Sequence, residues 1–406
     1  MALPTNDHRI ARFTMLGHGL VHWFETAIPI LLVVWLAELD VSVVVIGFVV
    51  ALGYAPFGLG ALPAGVLADK YGERRLILIC LAGMSVAFVV VSLYASIWTI
   101  AIGLLLWGIA ASLYHPAGLS LISTGVQSRG TVFAWHGMAG NAGIALGPFT
   151  AAVLLIVFDW QLVAALLAVP GLVALVYGLR VEFDPTAGVE ENIETRSGSL
   201  SLAELFGDSR ILFSSTFAFV FVIVIFEGLF YRGILTYLPE ILHTLPALDS
   251  IALDVGLDGI EPTDFVYVGI LVVGMAGQYI GGKAIAHLRP EVGMAGIFAI
   301  LTVCAVAFLP VAGVGTGPLL ILCALIGFFL FAIQPFYQEA VAVHTPAEGR
   351  GLSYGYTYLG EFGLGSASVA VGGIVLGNFE LAAFFMMLAA FSAVGGFLTT
   401  VLWART

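Results

Sequence analysis

GVLADKYGERR, residues 65–75, is a charged stretch between two long apolar runs. Asp69, Lys70, Arg74 and Arg75 crowd into this short stretch, between and beside Gly65 and Gly72. Such a cluster closes one membrane-crossing helix and opens the next. About 20 apolar residues cross the hydrocarbon core, and the flanking runs, 43–68 and 75–95, reach that length. Working outward, the same criterion places spans at 13–38, 98–124, 130–157 and 161–180. After a polar stretch come 211–243, 263–286, 292–313, 317–343, 351–377 and 380–403. The first apolar run reads as a span and not as a removable leader, because no small-residue cleavage site follows a short apolar core.

Composition agrees. The 406 residues are 60% hydrophobic and 10% charged, where a soluble domain carries roughly a quarter charged residues. Cys80, Cys304 and Cys323 sit in apolar runs without metal-ligand spacing and read as small fillers. A net charge of −12 would repel nucleic acid. The acidic residues gather in 182–208 and 249–264, which read as a linker and an outer loop. The linker contains Pro185, Gly and Ser, and reads as a flexible tether with a short amphipathic helix near Ser201–Phe206.

Positive charge orients the spans. Arg9, Arg12, Lys70, Arg74, Arg75, Arg129, Arg180, Arg196, Arg210, Lys283, Arg289, Arg350 and Arg405 all fall on one side of a twelve-span arrangement. The remaining cation, Arg232, lies inside span 7. The excess of Lys and Arg on cytoplasmic loops places both termini in the cytoplasm of a multi-pass cell-membrane protein. The halves also echo one another: Ser128–Gly130 leads into a Gly-rich span 5, and Gly349–Gly351 into a Gly-rich span 11. The expected fold is all-α: two pseudo-symmetric six-helix bundles, 1–180 and 211–406, joined by a cytoplasmic linker at 181–210. Such repeats characterise transporters.

Gly65, Leu67, Asp69, Lys70, Gly72 and Arg74 fall where the loop between helices 2 and 3 of the major facilitator superfamily has its signature. The chain resembles that superfamily. YHPAG (114–118), GNAGIALGP (140–148) and GRGLSYG (349–355), with His18, make it similar to its fosmidomycin-resistance type of drug exporter. Glu73 departs from the loop pattern, His22 stands where those exporters often have Asp, and Leu104 stands near a usual arginine of helix 4. The resemblance implies a cytoplasmic gate of Gly65, Asp69, Gly72 and Arg74. In it Asp69 would face the start of helix 11 while Arg74 holds the carboxylate. It also implies that helices 1, 4, 7 and 10 line a central cavity.

Buried polar residues supply the candidate sites, because polar groups at membrane depth are costly and usually functional. His18, His22 and Glu25 are spaced i, i+4, i+7 and share one helical face. Tyr354, Tyr358 and Glu361 repeat that spacing. Glu25, Glu361, His18, His22 and Glu227 are the candidates for proton coupling, since buried carboxyls and histidines exchange protons near neutral pH. His115, Asn141, Tyr231, Arg232, Gln334, Tyr337, Gln338, Tyr354 and Tyr358 are the candidates for a substrate cavity. His115 precedes Pro116, an expected kink. Gly140, Gly143 and Gly147 form a packing face ahead of a kink at Pro148. The bland alternative, mutual pairing that holds helices together, is even-handed for His136 or Glu339. No HExxH occurs and His18 with His22 is half a site, so no metal and no cofactor are expected.

The expected function is secondary active transport of a small molecule, as proton-driven efflux by a monomer in the lipid bilayer. The alternatives are proton-coupled uptake of a metabolite, an intramembrane hydrolase, and a non-transporting sensor. No GxxxxGK[ST] loop supports ATP-driven pumping.

Overall fold

The computed structural model describes residues 3–188, 202–248, 262–346 and 350–406. Arg196, most of the acidic linker, the body of the outer loop and Gly349 lie outside the described residues. Helices α1 (Thr5–Glu38), α2 (Val43–Leu59), α3 (Ala61–Tyr71), α4 (Glu73–Ser92), α5 (Ile97–Ala111), α6 (Tyr114–Gly125), α7 (Arg129–Leu155) and α8 (Trp160–Arg180) form the first six spans. A linker helix, α9 (Leu202–Phe213), precedes α10 (Phe217–His243), α11 (Pro262–Ala284), α12 (Pro290–Ala312), α13 (Thr316–His344), α14 (Arg350–Tyr358), α15 (Ala367–Asn378) and α16 (Leu381–Arg405). Among the described residues, eleven spans are long and apolar enough to cross a membrane as they stand, and the pair α2–α3, bent by 48°, makes a twelfth if it is one span. Helix entries follow the sequence: Ser96 accepts from the Trp98 amide and Asp159 from the Leu162 amide, each satisfying a free donor of a first turn.

Three spans are broken. Span 2 breaks at Gly60, where a side chain would overlap Ser112. Span 4 breaks at Ser112–Leu113, so Pro116 falls in the first turn of α6. That is where a missing N–H costs nothing. The expected kink at His115–Pro116 therefore lies a few residues earlier. Span 11 passes from α14 into a π-helical segment, Leu359–Leu364, before α15. By contrast α7 continues helical through Pro148.

The chain forms two compact units, 1–28 with 52–204 and 29–51 with 205–406. This differs from the division at 180 and 211 read from the sequence. Residues 29–51 join the second unit because Gly47 lies against Tyr237, Val369 and Gly373, and Val44 against Gly377. Glycine is needed at these contacts, since a side chain on Gly47 would overlap the Tyr237 hydroxyl.

The linker is not a free tether throughout. Asn6 donates to the carbonyls of Gly125 and Asp184, both at 3.0 Å, and accepts from the Asp184 amide. Arg9 donates to the Glu182 carbonyl and Arg129 to that of Gly188. Asp7 accepts from the amides of Gln127 and Ser128 at the start of α7. Residues 181–188 are thus bound to the first unit. The helix expected at Ser201–Phe206 is longer, reaching Phe213.

Candidate functional site

The first unit holds a histidine cluster. α1 places His18, His22 and Glu25 on one face; α6 contributes Tyr114 and His115, and α7 contributes His136. His22, Glu25, His115 and His136 are buried. His22 Nδ1 lies 2.5 Å from Glu25 Oε2, and its Nε2 lies 3.2 Å from His18 Nε2. His18 Nδ1 lies 2.7 Å from the His136 carbonyl and so carries a hydrogen. The result is a line of hydrogen-bonding groups from a carboxylate on α1 to a backbone oxygen on α7. His18 stacks on His136 at 3.9 Å between ring centroids, and His115 stands edge-on to His18 and His22 at 5.3 and 5.5 Å. Tyr54 on α2 donates to the Glu25 carbonyl, and the Phe57 ring covers His115.

The glycines of α7 make room for this. Side chains at Gly140, Gly143 and Gly147 would overlap the His18 ring, the Gly19 carbonyl and the Trp23 carbonyl respectively. The α7 glycine face therefore runs along α1, backbone against backbone. The Asn141 side chain, half-buried beside it, makes no hydrogen bond among the described residues.

The second unit holds a carboxylate cluster. Tyr337 on α13 donates to Glu361 Oε2 at 2.7 Å. Glu361 sits in the π-helical segment with Gly360 and Gly363, and the Gly365 amide bonds back to the Gly360 carbonyl. Glu227 on α10 has Glu361 and Arg232 as charged neighbours, and neither of its oxygens has a hydrogen-bond donor among the described residues. Glu227, Arg232 and Glu361 are 2–3% exposed. The Arg232 guanidinium lies over the Phe362 ring at 4.6 Å and near that of Tyr231 at 5.6 Å. Gln334 accepts from Gln278 on α11. Tyr358 is half-buried and stacks on Phe362, whereas Tyr354 and Gln338 are exposed. The expected face Gln334–Tyr337–Gln338 is thus divided, with Tyr337 alone of the three on Glu361.

The α3–α4 turn is built differently from the gate expected of it. Gly72 has φ +85° and ψ 139°, a conformation open to glycine, and it reverses the chain between α3 and α4. Arg74 does not hold Asp69. Its guanidinium donates to the Gly178 and Leu179 carbonyls at 3.0 and 3.2 Å. These are unpaired acceptors at the end of α8, where a cation is favoured. Glu73, the departure from the loop pattern, accepts from Ser120 on α6 at 2.8 Å. A side chain at Gly65 would meet nothing within 4 Å, so packing does not explain that glycine.

Two features escaped the sequence. The π-helical segment has one visible signal, the glycines at 360, 363 and 365. The convergence of His115 and His136 on α1 has none, because it depends on how three helices pack.

The family model of the Major Facilitator Superfamily matches residues 14–369. The chain belongs to that superfamily. This makes it a transporter and not an enzyme, a multi-pass membrane protein of about twelve spans. The facilitator is similar to the tetracenomycin C resistance and export protein of Streptomyces glaucescens, 28% identical over 151 residues, which are 36% of this chain and 27% of that protein. It is also similar to the methylenomycin A resistance protein of Bacillus subtilis, 28% identical over 123 residues, 30% of this chain and 26% of that one. The matches thus span about a quarter of each relative's length. Among solved structures, an inward-facing, occupied bacterial homologue of the human lysosomal transporter Spinster superposes with a TM-score of 0.74 at 16% identity, covering 100% of this chain and 98% of that one. The nucleoside transporter NupG gives 0.71 at 14% identity over 98% and 99%. At such identities the likeness establishes the fold.

Proposed function

We propose that this facilitator exports a small hydrophilic or amphipathic molecule in exchange for protons. The observation that carries the coupling is the Tyr337–Glu361 hydrogen bond beside Glu227 and Arg232, a titratable group held at membrane depth inside one bundle. Glu361 accepts from Tyr337 while ionised. Protonation cancels its charge, and the balance among Glu227, Arg232 and Glu361 changes with it. The line from Glu25 through His22 to His18 is a second route for a proton. The direction rests on the two resistance proteins. Arg232, Tyr231, Tyr358 and the amide groups are the proposed substrate contacts.

The same reading has both termini in the cytoplasm, a single chain as the working unit, and alternating access by bundles 1–180 and 211–406 joined at 181–210. Asp69 is the proposed gate residue of the α3–α4 turn, and Arg74 its anchor to α8.

Everted vesicles bearing the protein test this. They are energised to an acid interior and offered a panel of compounds, tetracenomycin C and methylenomycin A included. The expected result is a partial collapse of the gradient on adding a transported compound, absent from Glu361→Gln vesicles. A compound that enters without moving protons removes the coupling. Proton flow in the same direction as the compound reverses the proposed direction. Asp69→Asn is expected to slow transport with folding intact.

A further inference from the structure

The histidine cluster of the first unit has a geometry that proton transfer does not require. His18 Nδ1 faces the His136 carbonyl, which can only accept, so Nδ1 carries the hydrogen and Nε2 presents its lone pair. With Glu25 as a carboxylate, His22 Nδ1 likewise donates and its Nε2 also presents a lone pair. Those two Nε2 atoms face each other at 3.2 Å. Two lone pairs at that separation repel unless something positive lies between or beside them. Two imidazole ligands of a tetrahedral Zn²⁺-type ion, bonded at about 2.0–2.1 Å, stand about 3.3 Å apart. The observed spacing is that of an edge of such a site.

The third corner is present. Donor atoms of His18, His22 and His115 all lie within 4.8 Å of one another. His115 stands in the first turn of α6, immediately after the break at Ser112–Leu113, and its ring is edge-on to both His18 and His22. The outer contacts are those of a metal-bound histidine. Glu25 holds His22, a carbonyl holds His18, and the His136 ring stacks on His18 to fix its plane. Three neutral histidines leave a fourth position for water or a substrate group.

We propose that the first unit binds one divalent transition-metal ion of the Zn²⁺ and Co²⁺ class through His18, His22 and His115. Glu25 orients His22 and does not itself bind the ion. The ion and the proton on the His18–His22 pair exclude one another. This site stands independently of proton coupling at Glu361.

Tag-free, full-length protein in nanodiscs, stripped with chelator, is titrated with Co²⁺. Visible absorption and elemental analysis follow binding. One Co²⁺ per chain is expected, with the intense visible bands of a tetrahedral ion and displacement by Zn²⁺. His22→Asn and His115→Asn are expected to abolish the bands. Glu25→Gln is expected to weaken binding roughly 10–100-fold, while His243→Asn and His344→Asn leave it unchanged. Thermal unfolding of the metal-free variants checks their folding. Should they fail to fold, X-ray absorption of the Zn²⁺-loaded wild type decides, with three nitrogen neighbours at about 2.0 Å expected. Less than one equivalent in the wild type, undiminished binding in well-folded variants, or a shell of oxygens would overturn the site and leave the cluster to a proton alone.

Discussion

On α1, His18, His22 and Glu25 remain in line, and their hydrogen bonds run along the helix from Glu25 to His22 to His18. Tyr354, Tyr358 and Glu361 repeat that spacing, and Glu361 accepts a hydrogen bond from Tyr337 on another helix, α13. Tyr358 stacks on Phe362 and stays an electrostatic neighbour of Glu361. The difference lies in the backbone. α1 keeps the 3.6-residue period from Thr5 to Glu38, whereas span 11 widens into a π-helical turn at Leu359. An extra residue in a turn rotates the side chains beyond it, which changes the neighbouring helix that a side chain there can reach.

Paired substitutions test the two clusters separately. The largest effect is expected from Glu361→Gln, which should reduce proton-coupled transport to the level of protein-free vesicles while leaving Co²⁺ binding on α1 intact. Tyr337→Phe removes one hydrogen bond to a charged acceptor, worth about 1.5–3 kcal/mol, or roughly 10–100-fold. Transport measured in the same vesicles should fall within that range. Wild-type rates in the Phe variant would mean that the π-helical turn does not serve to deliver Glu361 to α13.

Gly143→Ala and Gly228→Ala form the next pair. The new methyl groups would overlap the Gly19 and Glu361 carbonyls, which are backbone atoms that cannot swing aside. Each should cost about 1–3 kcal/mol of stability, read as a lowered melting temperature in detergent. Gly143→Ala should also weaken Co²⁺ binding and Gly228→Ala should slow transport. The reverse assignment would show that the two clusters are not separable. Gly72→Ala comes last, at about 1–2 kcal/mol for a left-handed φ, with neither cluster affected.

Much of the fold is legible from the charges. Lys70, Arg74 and Arg75 mark a turn because lipid does not accept them, and α3 and α4 meet there at Gly72. The span ends at Glu38, Arg180 and Ala312 lie within a residue of where hydropathy places them. Breaks inside spans are less legible. Pro148 leaves α7 helical while Gly60 divides span 2, because whether a breaker breaks depends on what packs beside it. The family resemblance implies Arg74 as the partner of Asp69. It binds the end of α8 instead, because a helix terminus offers two carbonyls at fixed geometry.

About twelve membrane crossings, the helical faces that carry polar groups, and the resemblance to a superfamily are all written in the chain's local pattern. Those properties follow from local hydrophobicity and from the helical period. Tertiary structure alone decided that His115 and His136 join the α1 line, that Glu361 meets Tyr337, and that 29–51 pack with the second unit. These depend on close approach between helices distant in the chain. That approach was set by glycines whose partners no local pattern names.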